Sequence, residues 1–165
     1  MGFFSKLFSK NDATDGYRLY APLSGRAVDI TEVPDPTFAE GLLGTGMAIE
    51  PSDGKVYAPC DAKVDTAFET GHAVSLISET GVQILIHVGL DTVTLKGTPF
   101  TLHVKKGDTV KKGQLLLEAD LDIIRAAGLN PITPMLVCNS DEYSAVHTTV
   151  GKTVSNADVV IEVEK

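Results

Sequence analysis

Hydrophobic positions in this chain recur in short runs rich in Val, Ile, Leu and Thr, punctuated by Gly and Pro. The clearest runs cover residues 26–30, 63–68, 73–78, 82–88, 115–118 and 159–163. Short, regularly spaced runs bounded by turn residues predict an all-β protein, an antiparallel sandwich or barrel. One segment, 120–127, reads as a helix, with Asp120 placed to cap its start and Gly128 just past its end. Two short phrases resemble each other: Tyr20-Ala-Pro-Leu-Ser-Gly-Arg-Ala-Val-Asp29 and Tyr57-Ala-Pro-Cys-Asp-Ala-Lys-Val-Asp65. A further phrase, from Val104 to Leu115, carries two Gly turns that fold a strand back sharply. The expected fold is therefore a β-sandwich or barrel with a duplicated motif and one or two short helices.

The first ten residues differ from the rest. At about 100° per residue, Phe3, Phe4, Leu7 and Phe8 share one helical face, flanked by Lys6 and Lys10. Such a face suits an anionic lipid surface. Residues 11–16 are polar, end in Gly16 and read as a linker. The division expected is a leader and linker over 1–16 and one domain over 17–165. A chain of 165 residues and 17.5 kDa is long enough for one domain with a real core. No apolar run approaches the ~18 residues of a membrane span.

Charge sharpens the picture. The formal net charge is −8, which argues against a nucleic-acid partner. Eleven acids and only two bases lie between Asp29 and Asp91, so the acidity is one central block. Two of the four histidines, His72 and His87, lie inside it. The two cysteines, Cys60 and Cys138, form no CxxC and are expected to be buried free thiols.

The histidines carry the candidate chemistry. Along 82–88, Val82, Ile84, Ile86 and Val88 share one face, while His87 shares the other with Gln83 and Leu85. His72 opens the preceding run. A two-residue loop of Glu79 and Thr80 would set His72 directly opposite His87, with Cβ atoms ~5 Å apart. A three-residue loop with a bulge at Gly81 would move the register by one. A lone histidine is most simply a core residue, but two that converge on a β scaffold suggest a site. A neutral imidazole nitrogen can attack a phosphoryl group and hold it, while the second donates a hydrogen bond to its oxygens. Thr70, two residues before His72, can orient that ring. His87-Val-Gly-Leu-Asp91 also has the H-x-x-x-D form of some zinc peptidases, but the downstream H-x-H they need is absent. Gly151-Lys152-Thr153 lacks the earlier glycine of a phosphate-binding loop, and no Gly-x-Ser-x-Gly is present.

At these residues the chain resembles the glucose-type IIA component of the bacterial phosphoenolpyruvate-dependent sugar phosphotransferase system. The resemblance lies in Ala21-Pro-Leu-Ser-Gly25, Pro59, Phe68-Glu-Thr-Gly-His72, His87-Val-Gly-Leu-Asp-Thr-Val93 and Leu95-Lys-Gly97. It runs from about Tyr17 to Lys165. It implies an antiparallel β-sandwich with barrel character, built on a duplicated hybrid motif. It also implies a cytoplasmic phosphotransferase component with a phosphohistidine intermediate and no required cofactor. Phosphate would come from the histidine phosphocarrier protein and pass to a cysteine of a IIB domain. By the same resemblance His87 carries the phosphate, His72 assists and Thr70 contacts the histidine site. Phe38, Leu42, Leu43, Leu85 and Val93 would form the docking patch, and Glu32, Asp35 and Asp91 its acidic rim. Pro36 and Thr37 depart from the aliphatic residues common there. The same face is expected to accept regulatory proteins, and His72 and His87 could share a zinc ion with a partner carboxylate. The leader resembles a membrane-associating tail, which would place the protein peripherally at the inner face of the membrane.

Two other readings remain in play. The Gly107–Gln114 phrase is similar to a lipoyl- or biotinyl-type carrier turn, although neither Met-Lys-Met nor Asp-Lys-Ala occurs. The third reading is a non-enzymatic binding module whose histidines are incidental.

Overall fold

A computed structural model describes residues 17–165. The leader and linker read from residues 1–16 therefore lie outside the described residues. Strands follow one another as β1 (Arg18–Tyr20), β2 (Gly25–Asp29), β3 (Thr45–Pro51), β4 (Lys55–Tyr57), β5 (Ala62–Ala67), β6 (Ala73–Ser78) and β7 (Gln83–His87). The second half adds β8 (Phe100–Leu102), β9 (Thr109–Val110), β10 (Leu115–Ala119), β11 (Thr133–Val137), β12 (Ala145–Thr148), β13 (Lys152–Val154) and β14 (Val159–Glu164). All strand pairings among the described residues are antiparallel. One sheet runs β13-β2-β3-β11-β7-β6-β5-β9, and two three-stranded sheets run β1-β14-β12 and β4-β10-β8. The molecule is thus an antiparallel β-sandwich, as the run pattern predicts.

The main core lies between these sheets. It is filled by the inward residues of alternating strands, such as Val64, Leu76, Ile84, Ile86, Leu116 and Ile161. A smaller cluster occupies the other face of the eight-stranded sheet: Val28, Val33, Phe38, Ala48, Leu90, Ile132 and Leu136. The segment between β2 and β3 closes over this second cluster. It holds a 3-10 turn (Ile30–Glu32) and a one-turn helix, α1 (Pro36–Ala39). Asp35 caps α1 by accepting from the Thr37 N–H, and Pro36 stands at the first helical position, where its missing N–H costs nothing.

The predicted helix is α2 (Leu121–Ala126). The Asp120 carboxylate accepts from the N–H groups of Asp122 and Ile123. At the other end Gly128 is left-handed, at φ +80°. Its N–H donates to Arg125 and that of Leu129 to Ile124, a Schellman closure.

The echo between the two tyrosine phrases is physical. The Tyr20 N–H donates to the Pro59 carbonyl, and the Tyr57 N–H donates to the Pro22 carbonyl. Ala21 donates to Asp158 as Ala58 does to Gln114, and Gly151 donates to Ala27 as Gly107 does to Val64. The Val104–Leu115 phrase therefore has its own counterpart at residues 148–159. The fold is a duplication whose two halves clasp each other through the repeated tyrosine-proline strands.

Two central strands, β3 and β11, carry no clear sequence signal. Gly46 is needed because a Cβ there would lie 2.0 Å from the Met135 carbonyl oxygen on β11. Pro134 sits inside β11, where sheet interiors normally exclude proline. The β7 ladder on that side ends at Met135↔Ile86, so the missing N–H of Pro134 falls just beyond it. Cys60 is buried as expected, but Cys138, just past β11, is exposed. It lies at the end of the sheet, outside the packed alternation.

Gly46→Ala should lower unfolding stability by about 3 kcal/mol, because backbone must move to admit a methyl. Gly81→Ala, in open space at φ +93°, should lose only about 1 kcal/mol from its left-handed backbone. Urea unfolding midpoints check both, and equal losses would contradict the close approach of β3 and β11.

Candidate functional site

The β6–β7 hairpin determines where the two histidines stand. Ile77 pairs with Gln83 and Ala73 with His87. The loop therefore has three residues, Glu79, Thr80 and Gly81, with Gly81 left-handed at φ +93°. This corrects the direct opposition of His72 and His87 expected from a two-residue loop. Ala73 faces His87, and His72 pairs one step further on, its carbonyl accepting from the Val88 N–H at 2.7 Å.

The rings meet nevertheless, with centroids 5.0 Å apart and an interplanar angle of 79°. His72 precedes the regular strand and follows Gly71, which is left-handed at φ +75°. Strict side-chain alternation does not govern it. Gly71 itself is required, since a Cβ would lie 2.7 Å from the Phe100 Cβ.

Two phenylalanines extend the pair into a row of four rings. Phe38 packs on His87 at 5.1 Å, and Phe68 on His72 at 5.3 Å. Phe68 was not among the expected patch residues, although it opens the Phe68-Glu-Thr-Gly-His72 phrase. Phe38 was expected on the docking surface but is only 4% exposed. It forms a wall of the site, because α1 turns it into the second core cluster.

Each ring has one nitrogen tied down. His87 Nδ1–H donates to the Gly89 carbonyl at 2.8 Å, which leaves Nε2 with its lone pair. His72 Nδ1 is hydrogen-bonded to the Thr70 hydroxyl. With the hydroxyl as donor, His72 Nε2 carries the proton.

Electrostatics keep both rings neutral near pH 7. Burial, aided by the neighbouring His87, pushes His72 down to about 4. Burial also lowers His87, opposed by the Gly89 hydrogen bond and by the charges of Asp35 and Asp91. Asp91 is held in the left-handed region at φ +59°. Of the expected rim, then, Asp35 and Asp91 act on His87, while Glu32 is exposed on the 3-10 turn. Leu42, Leu43 and Val93 are 70%, 41% and 48% exposed, and Leu85 is half-buried against the second core cluster. Pro36 and Thr37 are exposed at the start of α1.

The remaining two histidines are engaged elsewhere. His103 pairs with Glu118 at 2.8 Å and His147 with Glu164 at 3.9 Å. Burial pushes the Cys60 thiol up to about 12, so it is no nucleophile at neutral pH. Among the described residues no group of three or more His, Cys, Asp or Glu could hold a metal ion. The two imidazoles present two nitrogen donors, and zinc requires about four ligands. Among the described residues no helix is long and apolar enough to cross a membrane.

The chain is similar in sequence and fold to known proteins. The family model described as phosphoenolpyruvate-dependent sugar phosphotransferase system, EIIA 1, matches residues 17–143. The chain is 40% identical over 158 residues to a PTS system glucose-specific EIIA component of Bacillus anthracis, covering 96% of each. It is 46% identical over 140 residues to a PTS system beta-glucoside-specific EIIBCA component of Dickeya chrysanthemi. That match covers 84% of this chain and 22% of that protein. Among solved structures it resembles glucose permease IIA from Mycoplasma capricolum, with a TM-score of 0.79, 31% identity and 98% of both chains covered.

The depressed histidines link the site to stability. An unfolded imidazole titrates near ~6.5, above the folded value of about 4 for His72. Between those values the unfolded chain binds more protons, so stability falls as pH drops from 6.5 towards 4. Above 6.5 this contribution is fully present and constant. His72→Gln should flatten that acid limb in urea unfolding measured from pH 7 to pH 4. An unchanged slope would contradict the neutral, buried His72.

Proposed function

This chain belongs to the EIIA 1 family of the phosphoenolpyruvate-dependent sugar phosphotransferase system, and on that premise we propose that it carries phosphoryl groups for sugar uptake on His87 Nε2. The observation that supports this assignment is the direction of the His87 ring. With Nδ1–H held by Gly89, Nε2 is the one nitrogen of that ring left with a lone pair, and the second imidazole packs edge-on to the ring.

The chemistry follows from the two tautomers. The His87 Nε2 lone pair attacks phosphorus in line, as the bond from phosphorus to the donor's histidine nitrogen breaks. That bonding pair returns to the donor's imidazole. Phosphorylated at Nε2 and still protonated at Nδ1, the His87 ring becomes cationic. The Gly89 carbonyl and the Asp35 and Asp91 charges stabilise that cation, and His72 Nε2–H donates to a phosphoryl oxygen. In the onward step a thiolate of the IIB domain attacks phosphorus and the electron pair returns to Nε2. Phe38 and Phe68 shield the rings from water, which limits hydrolysis of the intermediate.

The partners are a histidine phosphocarrier protein and a IIB domain. In the Dickeya chrysanthemi protein an EIIA-like region belongs to a component named EIIBCA, which fits a IIB recipient. Leu42, Leu43, Leu85 and Val93 supply the apolar contact. Asp35, Asp91 and Glu32 steer a cationic partner mainly through its on-rate. The work is cytoplasmic, with residues 1–10 holding the protein to anionic lipid at the inner face of the membrane. A zinc ion shared by His72, His87 and a partner carboxylate would occupy the same two Nε2 atoms. It would compete with phosphate, so any such ion belongs to a regulatory complex and not to transfer. Neither a lipoyl- or biotinyl-type carrier nor a non-enzymatic module is favoured by the family.

Incubation with phosphoenolpyruvate and the upstream phosphotransfer proteins should label the chain with an acid-labile, base-stable phosphate. His87→Ala should take up none. His72→Gln should still accept phosphate but donate it roughly a hundredfold more slowly, the scale of losing one preorganised donor. Labelling of His87→Ala at the wild-type level would refute the site assignment. Deletion of residues 1–10 should leave acceptance unchanged while weakening binding to vesicles of anionic phospholipid. Equal binding by both forms would remove the lipid role.

A further inference from the structure

The His87–Gly89 hydrogen bond depends on a carbonyl in a loop, so something must hold that carbonyl still. Gly89 is left-handed at φ +79°, and its N–H donates to Ile132 at 3.0 Å. The neighbouring Leu90 N–H donates to Asn130 at 2.9 Å. These bonds fix one side of the turn to the chain leading into β11. The other side rests on Thr92, a polar residue with 0% exposure. Its hydroxyl donates to the Val88 carbonyl at 2.5 Å. Its methyl lies against Gly89, close enough that a Cβ there would sit 2.5 Å from Thr92 Cγ2.

Both branches of the threonine are therefore used, one on each side of Gly89. Thr92 also opens the 3-10 turn (Thr92–Leu95) and follows Asp91, whose left-handed backbone must be restrained by its neighbours. We propose that Thr92 is a positioning residue: by clamping the Val88–Gly89 peptide it keeps the Gly89 carbonyl on His87 Nδ1 and so selects Nε2 as the reactive nitrogen. Valine would keep the shape but leave the Val88 carbonyl without its donor. Serine would keep the donor and lose only the methyl. No other residue type offers both contacts in this volume.

This role deepens the phosphoryl-carrier reading and rests on it for its kinetic consequence, but the tautomer can be read without any phosphate. Two-bond 1H–15N correlation on the labelled full chain reports which imidazole nitrogen is protonated. Wild-type His87 should show a protonated Nδ1 and a bare Nε2. Thr92→Val should show both tautomers at His87, with His72 unchanged. Its phosphoryl acceptance at saturating phosphocarrier should fall about fivefold, the scale of one net hydrogen bond, with half-saturation unchanged. Thr92→Ser should restore the single tautomer and most of the rate. Gly89→Ala disturbs the same contact from the other side and should mix the tautomers as well, which covers a Val variant that fails to fold. A single Nδ1–H tautomer in either Thr92→Val or Gly89→Ala overturns the proposal. Should His87 prove to accept no phosphate at all, the rate readout fails while the tautomer readout still decides the role of Thr92.

Discussion

The hydrogen bond from His87 Nδ1 to the Gly89 carbonyl is the constraint on which the site depends. A neutral imidazole has one lone pair, and the bond leaves it on Nε2. Without it the two tautomers of an imidazole would compete, and rings protonated at Nε2 would present an N–H in place of the lone pair. The arrangement is short-range, spanning two residues. It works only because Gly89 turns back sharply, and because the strand it leaves is already locked to β6 and β11. The large antiparallel sheet thus serves a local purpose: it provides two rigid ends between which a strained turn can be held.

Burial and acidity then pull His87 in opposite directions. Burial lowers its pKa, while Asp35, Asp91 and the Gly89 carbonyl raise it, and burial prevails. His72 has no such carboxylate support and drops further, to about 4. The difference suits the two roles proposed for these rings. A ring that must pass through a cationic phosphorylated form benefits from nearby carboxylates. A ring that only donates a hydrogen bond is better kept neutral, so that it adds no repulsion to its partner. The central acidic block therefore has a local effect, because two of its members, Asp35 and Asp91, favour positive charge on the His87 ring; in the proposed mechanism that charge is the phosphorylated imidazole.

Much of this was legible from residue order. The outward face of 83–87, the run that opens with His72, the short hairpin and the capped helix after Asp120 all follow from periodicity and turn chemistry. What escaped did so for identifiable reasons. β3 and β11 hide behind Gly46 and Pro134, residues that normally argue against central strands. They are tolerated because β3 and β11 approach closely and because the β7 ladder has ended by Pro134. The resemblance puts Phe38 on the same docking patch as Leu42 and Leu43, which are exposed where Phe38 is buried. Only the chain path through α1 sends it under His87. The Gly89 carbonyl could not be found by scanning side chains, since a backbone acceptor leaves no mark on residue type except the glycine that frees it.

The hairpin register shows how such an error can leave the chemistry intact. A two-residue loop would have opposed His72 and His87 across the ladder, and the three-residue loop with Gly81 sets them one step apart. In a regular strand that step would reverse the side chain and separate the rings. Here it does not, because His72 stands between the left-handed Gly71 and the first paired residue of β6, outside the pleat. The ring is directed by the turn from Phe68 to Gly71, whose Gly71 N–H donates to the Phe68 carbonyl. That same turn supplies Thr70 to His72 Nδ1 and Phe68 to its face. One turn therefore sets the position, hydrogen-bond partner and shielding of the His72 ring, just as the Val88–Thr92 turn holds the His87 ring. The sheet brings the two turns together, and each turn prepares its own histidine.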